Sequence, residues 1–151
     1  MIAKESIQRG DEVAVIDEDG VIDLHTALQH PKLGRAFSSL YSSGMPEELL
    51  IVLTLLWEKF DNERWSPFAP LLAQLPSIAE FDHPVLLSAD DALQLYGSAV
   101  LDEVVAFNTT LHALFSYCVN RIQSNAMLRS VFTPSFLTYS RFLVVFQKSH
   151  E

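Results

Sequence analysis

The chain has 151 residues, 49% of them hydrophobic and 19% charged, with ten phenylalanines and a mean hydropathy of +0.19, which suits one domain with one core and excludes disorder. A formal charge of −9 with no Lys/Arg cluster repels phosphate backbones and excludes nucleic acid as a partner. Cys118 is alone, which rules out an internal disulfide or a multi-cysteine metal site.

Met1 is followed by Ile-Ala-Lys-Glu, with neither an apolar signal region nor an Arg-rich presequence, so the expected location is cytoplasmic or nuclear. From Asp11 to Asp23, β-branched residues flank an Asp19-Gly20 turn in the one strand-like stretch. The acids Asp17, Glu18, Asp19 and Asp23 lack the spacing, glycine and closing glutamate of a calcium loop and read as a solvated turn. A short helical patch over Thr26 to Gln29 ends at His30-Pro31, because a residue before proline is pushed out of the α region. Leu33, Phe37, Leu40 and Tyr41 then recur at three-to-four spacing.

Gly44-Met45-Pro46 breaks the chain, and Pro46 opens a helix running to Phe60 with Glu47 and Glu48 against the positive end of its dipole. Its apolar residues Leu49, Leu50, Val52, Leu53, Leu55, Leu56 and Trp57 surround nearly the whole circumference, which marks a buried helix at the centre of the core. The run falls far short of the roughly 20 residues a bilayer requires, so no membrane partner is expected. Trp65 to Pro76 reads as a proline-punctuated loop in which Trp65 and Phe68 plug the core. Ser88, with Asp90 and Asp91 behind it, caps a short helix reaching Tyr96 before Gly97. A long helix follows from Leu101 to Gln123, with Leu101, Val104, Val105, Asn108, Leu111, His112, Phe115 and Val119 on one face. Thr133-Pro134 opens a last helix whose stripe is Phe136, Tyr139, Phe142, Val145 and Phe146. The expected fold class is mostly α with a short N-terminal β segment.

The five glycines, at 10, 20, 34, 44 and 97, are isolated, so no glycine-rich phosphate cradle exists. The histidines at 25, 30, 83, 112 and 150 form no pair that would place two metal ligands on one helical face, and His112 reads as a core or rim residue. No serine sits in a nucleophile elbow, and Cys118 reads as packed. No catalytic residue and no metal site is assigned.

One order of features is more specific: a buried helix, then Trp65-Ser-Pro-Phe68, Leu75-Pro76 seven residues on, Phe81-Asp-His-Pro-Val85, and Ser88 to Gly97. This order resembles the SET-domain protein methyltransferases of the Rubisco large-subunit methyltransferase type, which include lysine methyltransferases and the actin-histidine methyltransferase. A helical insert interrupts the SET fold there, worded Trp-x-Pro-Tyr, then Leu-Pro, then an aromatic and Pro-Leu. Phe68 stands in place of the tyrosine and Val85 in place of the leucine. Ile7, Gly10-Asp11-Glu12 and Val13 to Ile16 look like the strand after the first cofactor loop, with Asp17 replacing a proline. Thr26-Ala27 and Leu33-Gly34 look like the way into the insert, and Phe132 to Val145 like the way out. Tyr139-Ser140 occupy the usual Trp-Ala places, and Gln147, with Lys148 beside it, occupies the place of a cofactor-pocket arginine.

The resemblance implies an incomplete SET domain dominated by its insert, with a strand-containing lead segment over 1–30, the helical insert over 31–131 and an exit helix over 132–151. It implies S-adenosylmethionine as cofactor, protein lysine or histidine as substrate, and a fragment inactive by itself. The Gly-x-Gly cofactor loop is expected before Met1, and the Asn-His motif and catalytic tyrosine beyond Glu151. Methyl transfer needs in-line approach in a desolvated channel, and a partial pocket cannot supply it. Apolar faces in Val13 to Ile16 and Phe136 to Phe146 should then be exposed and promote self-association. The alternatives are a non-enzymatic helical module that binds a protein partner, and an unrelated helical adaptor.

Overall fold

The computed structural model describes residues 6–10, 21–75, 77 and 89–148, with the backbone alone at 89, 92, 147 and 148. Among these residues every regular element is a helix: α1 (Leu24–Gln29), α2 (Gly34–Ser42), α3 (Glu47–Phe60), α4 (Ala69–Leu72), α5 (Ala89–Leu93), α6 (Ala99–Gln123), α7 (Ala126–Val131) and α8 (Tyr139–Lys148). The strand expected at Val13 to Ile16, the Phe81 to Val85 motif and the Ser88 cap lie outside the described residues.

Local chemistry sets the helix ends. Asp23 caps α1 by accepting from the Thr26 amide at 2.8 Å and the Thr26 hydroxyl at 2.9 Å. Asn125 caps α7 through the Met127 and Leu128 amides, each at 3.1 Å. The α2 terminus needs a left-handed residue, and Gly44 supplies it at φ 88°. The Met45 amide reaches the Leu40 carbonyl at 3.1 Å and the Gly44 amide that of Tyr41 at 2.9 Å, which closes the last turn. Gly34 has a different reason. A Cβ there would collide with the Leu28 carbonyl, so α2 lies against the end of α1 only because residue 34 has no side chain.

Helix α3 is the axis of the core, packed against α1, α2, α4 and α8. Residues Leu49, Leu50 and Val52 to Glu58 are buried, so its whole circumference from Val52 to Glu58 is enclosed, as its sequence implied. The Thr54 hydroxyl is satisfied by the Leu50 carbonyl at 2.9 Å. Phe132, between α7 and α8, is the aromatic hub: its ring centroid is 6.5 Å from Phe37, 6.3 Å from Trp57 and 5.7 Å from Phe136. Arg121 near the end of α6 donates to the Ser43 carbonyl and hydroxyl, which ties α6 to the α2 terminus.

Four sequence expectations are corrected. Trp65 does not plug the core: it is 78% exposed, and only Phe68 turns inward. The last helix begins at Tyr139, not Pro134. Thr133 to Thr138 make a single turn, and the Thr138 hydroxyl then caps α8 by accepting from the Arg141 amide at 3.4 Å. On α6 the expected face is the covered one, with Leu111 buried and Leu101, Val104, Asn108, Phe115 and Val119 half-buried, but Val105 and His112 at its edge are exposed, and Cys118 and Ile122 continue the buried stripe instead. Finally, no residue from Phe136 to Phe146 is exposed; α8 lies against α3 and α6 instead of offering a bare face.

Candidate functional site

A groove of about 1130 Å³ opens between the α1 segment and the end of α3. One wall is Asp23, His25, Thr26, Gln29, His30 and Lys32; the other is Trp57, Glu58, Asp61, Asn62, Trp65 and Phe68. The Trp65-Ser-Pro-Phe68 stretch therefore forms part of a concave surface, and the order of its residues explains how. Phe68 is anchored in the core, Ser66 is buried beneath it, and Trp65 is left standing out at the rim.

The buried Glu58 organises the groove floor. The His30 Nε2 donates to Glu58 Oε1 at 2.9 Å and the Asn62 Nδ2 donates to Oε2 at 2.9 Å, and the Ser66 hydroxyl adds its stabilising influence on the same carboxylate. Burial pushes the Glu58 carboxyl up, but the donors on His30, Ser66 and Asn62 outweigh it and hold the group below its ordinary value. His30 is fixed in turn, since its Nδ1 accepts the Lys32 amide at 3.2 Å and the Leu33 amide at 3.0 Å. That leaves the ring proton on Nε2, facing the carboxylate. The Ser66 Oγ accepts the Phe68 amide at 3.1 Å.

Serine, histidine and glutamate thus meet, but in the wrong order for a nucleophile. In a catalytic triad the imidazole lies between hydroxyl and carboxylate. Here the carboxylate lies between the other two, and the free imidazole nitrogen is consumed by backbone amides. The network is a clamp joining the α1–α2 turn, α3 and the Trp65 loop. No motif in the sequence announces it, although a glutamate inside an otherwise apolar, fully enclosed helix signals a buried charge that demands partners.

The residues that the sequence resemblance assigns to a cofactor pocket lie elsewhere. Gln147 and Lys148 fall in the last turn of α8. The Tyr139 hydroxyl donates to Asn108 Oδ1 at 2.8 Å, and its ring stacks on His112 with centroids 3.9 Å apart. Burial pushes the Tyr139 hydroxyl up. His112 is exposed, a rim residue, and with Asn108 it joins α6 to α8. Arg141 donates to the Phe136 carbonyl at 3.1 Å and lies 4.7 Å from the Phe60 ring centroid. Cys118 is fully buried, and burial pushes its thiol up to about 12, so it is an inert packed residue.

Among the described residues no group of His, Cys, Asp and Glu comes together to hold a metal ion. None of the helices described is long and apolar enough to cross a membrane. No family model, curated protein or solved structure matches the chain.

Proposed function

We propose that the chain is the helical insert, with its lead segment and exit helix, of an S-adenosylmethionine-dependent SET-type protein methyltransferase acting on lysine or histidine. Its role in that reading is to build and stiffen a wall beside the protein substrate, not to supply reacting groups. The supporting observation is the Trp65-Ser-Pro-Phe68 turn, which follows the buried α3 and is locked to it through Ser66 and Glu58. The motif that carries the resemblance thereby fixes the chain's return after the central helix. The exit helix α8 then packs back onto α3.

This reading assigns the cofactor loop and the reacting channel of methyl transfer to other parts of the enzyme, so the 151-residue chain by itself is expected to be inactive. Titration with S-adenosylmethionine in a calorimeter should show no heat of binding, and micromolar affinity would overturn that expectation. A second reading, a non-enzymatic module that binds a protein partner, draws on the exposed Leu93, Tyr96, Val100 and Val105 in and around α5 and α6. The nucleotide sequence on either side of the reading frame separates the two. An in-frame upstream Gly-x-Gly and downstream Asn-His-x-x-Pro support the enzyme fragment, whereas a stop codon on both sides supports the module.

A further inference from the structure

The groove has a feature that the clamp does not use. Trp65 is 78% exposed at its rim, while Phe68, three residues on, is buried. The Trp65 amide donates to the Asn62 carbonyl at 2.8 Å, Asn62 is itself bonded to Glu58 at 2.9 Å, and the Phe68 amide donates to Ser66 Oγ at 3.1 Å, so the indole is presented from a fixed base. Indole faces attract cations, and a planar guanidinium both stacks on the ring and retains its in-plane N–H donors. This ring already meets one such group, the guanidinium of Arg64, at 5.3 Å from its centroid.

The other charges of the groove favour the same class of ligand. Asp23, Glu58 and Asp61 line it against the ammonium of Lys32, with the Arg64 guanidinium at its rim, so acids still outnumber bases. Lys32 lies 4.0 Å from the centroid of Trp57, a ring only 6% exposed, so the inner aromatic surface is already covered. A phosphate or carboxylate ligand would face net repulsion. A guanidinium stacked at the rim would have the exposed Asp61 carboxylate on the wall for its fork of donors, since Glu58 is bonded within the clamp and Asp23 caps α1.

We propose that this groove docks an arginine-bearing extended segment of a partner protein, with one guanidinium on Trp65 and its donors directed at Asp61. A volume of about 1130 Å³ accommodates such a side chain with its flanking backbone. The docking rests on the groove's own geometry and stands whether or not the chain belongs to a methyltransferase, and the cofactor titration does not bear on it.

The test is a nitrogen-15 spectrum of the chain titrated with the blocked peptide Gly-Arg-Arg-Gly. Saturable shifts are expected at the Trp65 indole N–H and at Asn62, at millimolar concentration or below. The same peptide with citrulline for arginine should bind at least tenfold more weakly, and so should the arginine peptide to Trp65→Ala. Asp61→Asn should weaken it several-fold. Both substituted residues are exposed, so the variants keep the fold, and the unchanged core resonances verify it. Absent or non-saturating shifts, equal response to the citrulline peptide, or undiminished binding by Trp65→Ala would each overturn the proposal.

Discussion

Helix α3 and the first half of α6 are both rich in leucine and valine, yet they meet opposite fates. In α3, nine of fourteen residues are buried. In α6, nearly twice as long, three of twenty-five are buried, all from Leu111 onward. The difference lies in their neighbours. Helices α1, α2, α4 and α8 surround α3, whereas α6 packs on α7 and α8 along its second half. Apolar content measures what a helix offers to a core, and the arrangement of other elements decides how much is accepted.

The largest expected effect falls on the enclosed side of this contrast. Phe132→Ala removes the ring shared by Phe37, Trp57 and Phe136 and should cost about 4 kcal/mol, measured by urea unfolding. Glu58→Gln comes next, at about 2 kcal/mol near neutral pH, because charge-assisted bonds are exchanged for weaker ones at a buried site. That cost has a definite pH sign. The folded-state carboxyl is held below its ordinary value of 4.5, so its contribution is fully present above that pH. It is lost as pH falls through the folded value. The gap between wild type and Glu58→Gln should therefore close on acidification, and a gap constant down to about pH 3 would remove the clamp from the account. The smallest effect belongs to α6: Val105→Lys should change stability by less than about 0.5 kcal/mol, since the side chain is 56% exposed. A cost close to that of Phe132→Ala would abolish the distinction between the two regions.

Much of the helical outline was legible in the sequence because it depends on local chemistry. The proline before Glu47, the continuous apolar circumference up to Trp57, and the glycine after Ser43 mark α2 and α3 without reference to the rest of the chain. The candidate groove was hardly legible. His30 read only as a helix stop, and Ser66 as a residue between Trp65 and Pro67. Their meeting at Glu58 joins positions 28 residues apart in one case, and no local pattern encodes that. Trp65 was misjudged for a related reason. Trp65 and Phe68 are both apolar aromatics, and hydropathy alone does not say which of two close rings takes the one place available in the core.

By itself the sequence determined that this protein is mostly helical, that α3 is its buried axis, and where glycine and proline interrupt the chain. Those outcomes follow from backbone propensity and side-chain period, which act over a few residues. Only the tertiary structure decided how little of α6 is fully enclosed, that α8 begins at Tyr139, and that Trp65 stands outside while Glu58 lies inside. These are outcomes of competition for a finite interior. Burial of a charge requires donors from several segments at once, and a ring stays in water when the space beneath it is already filled.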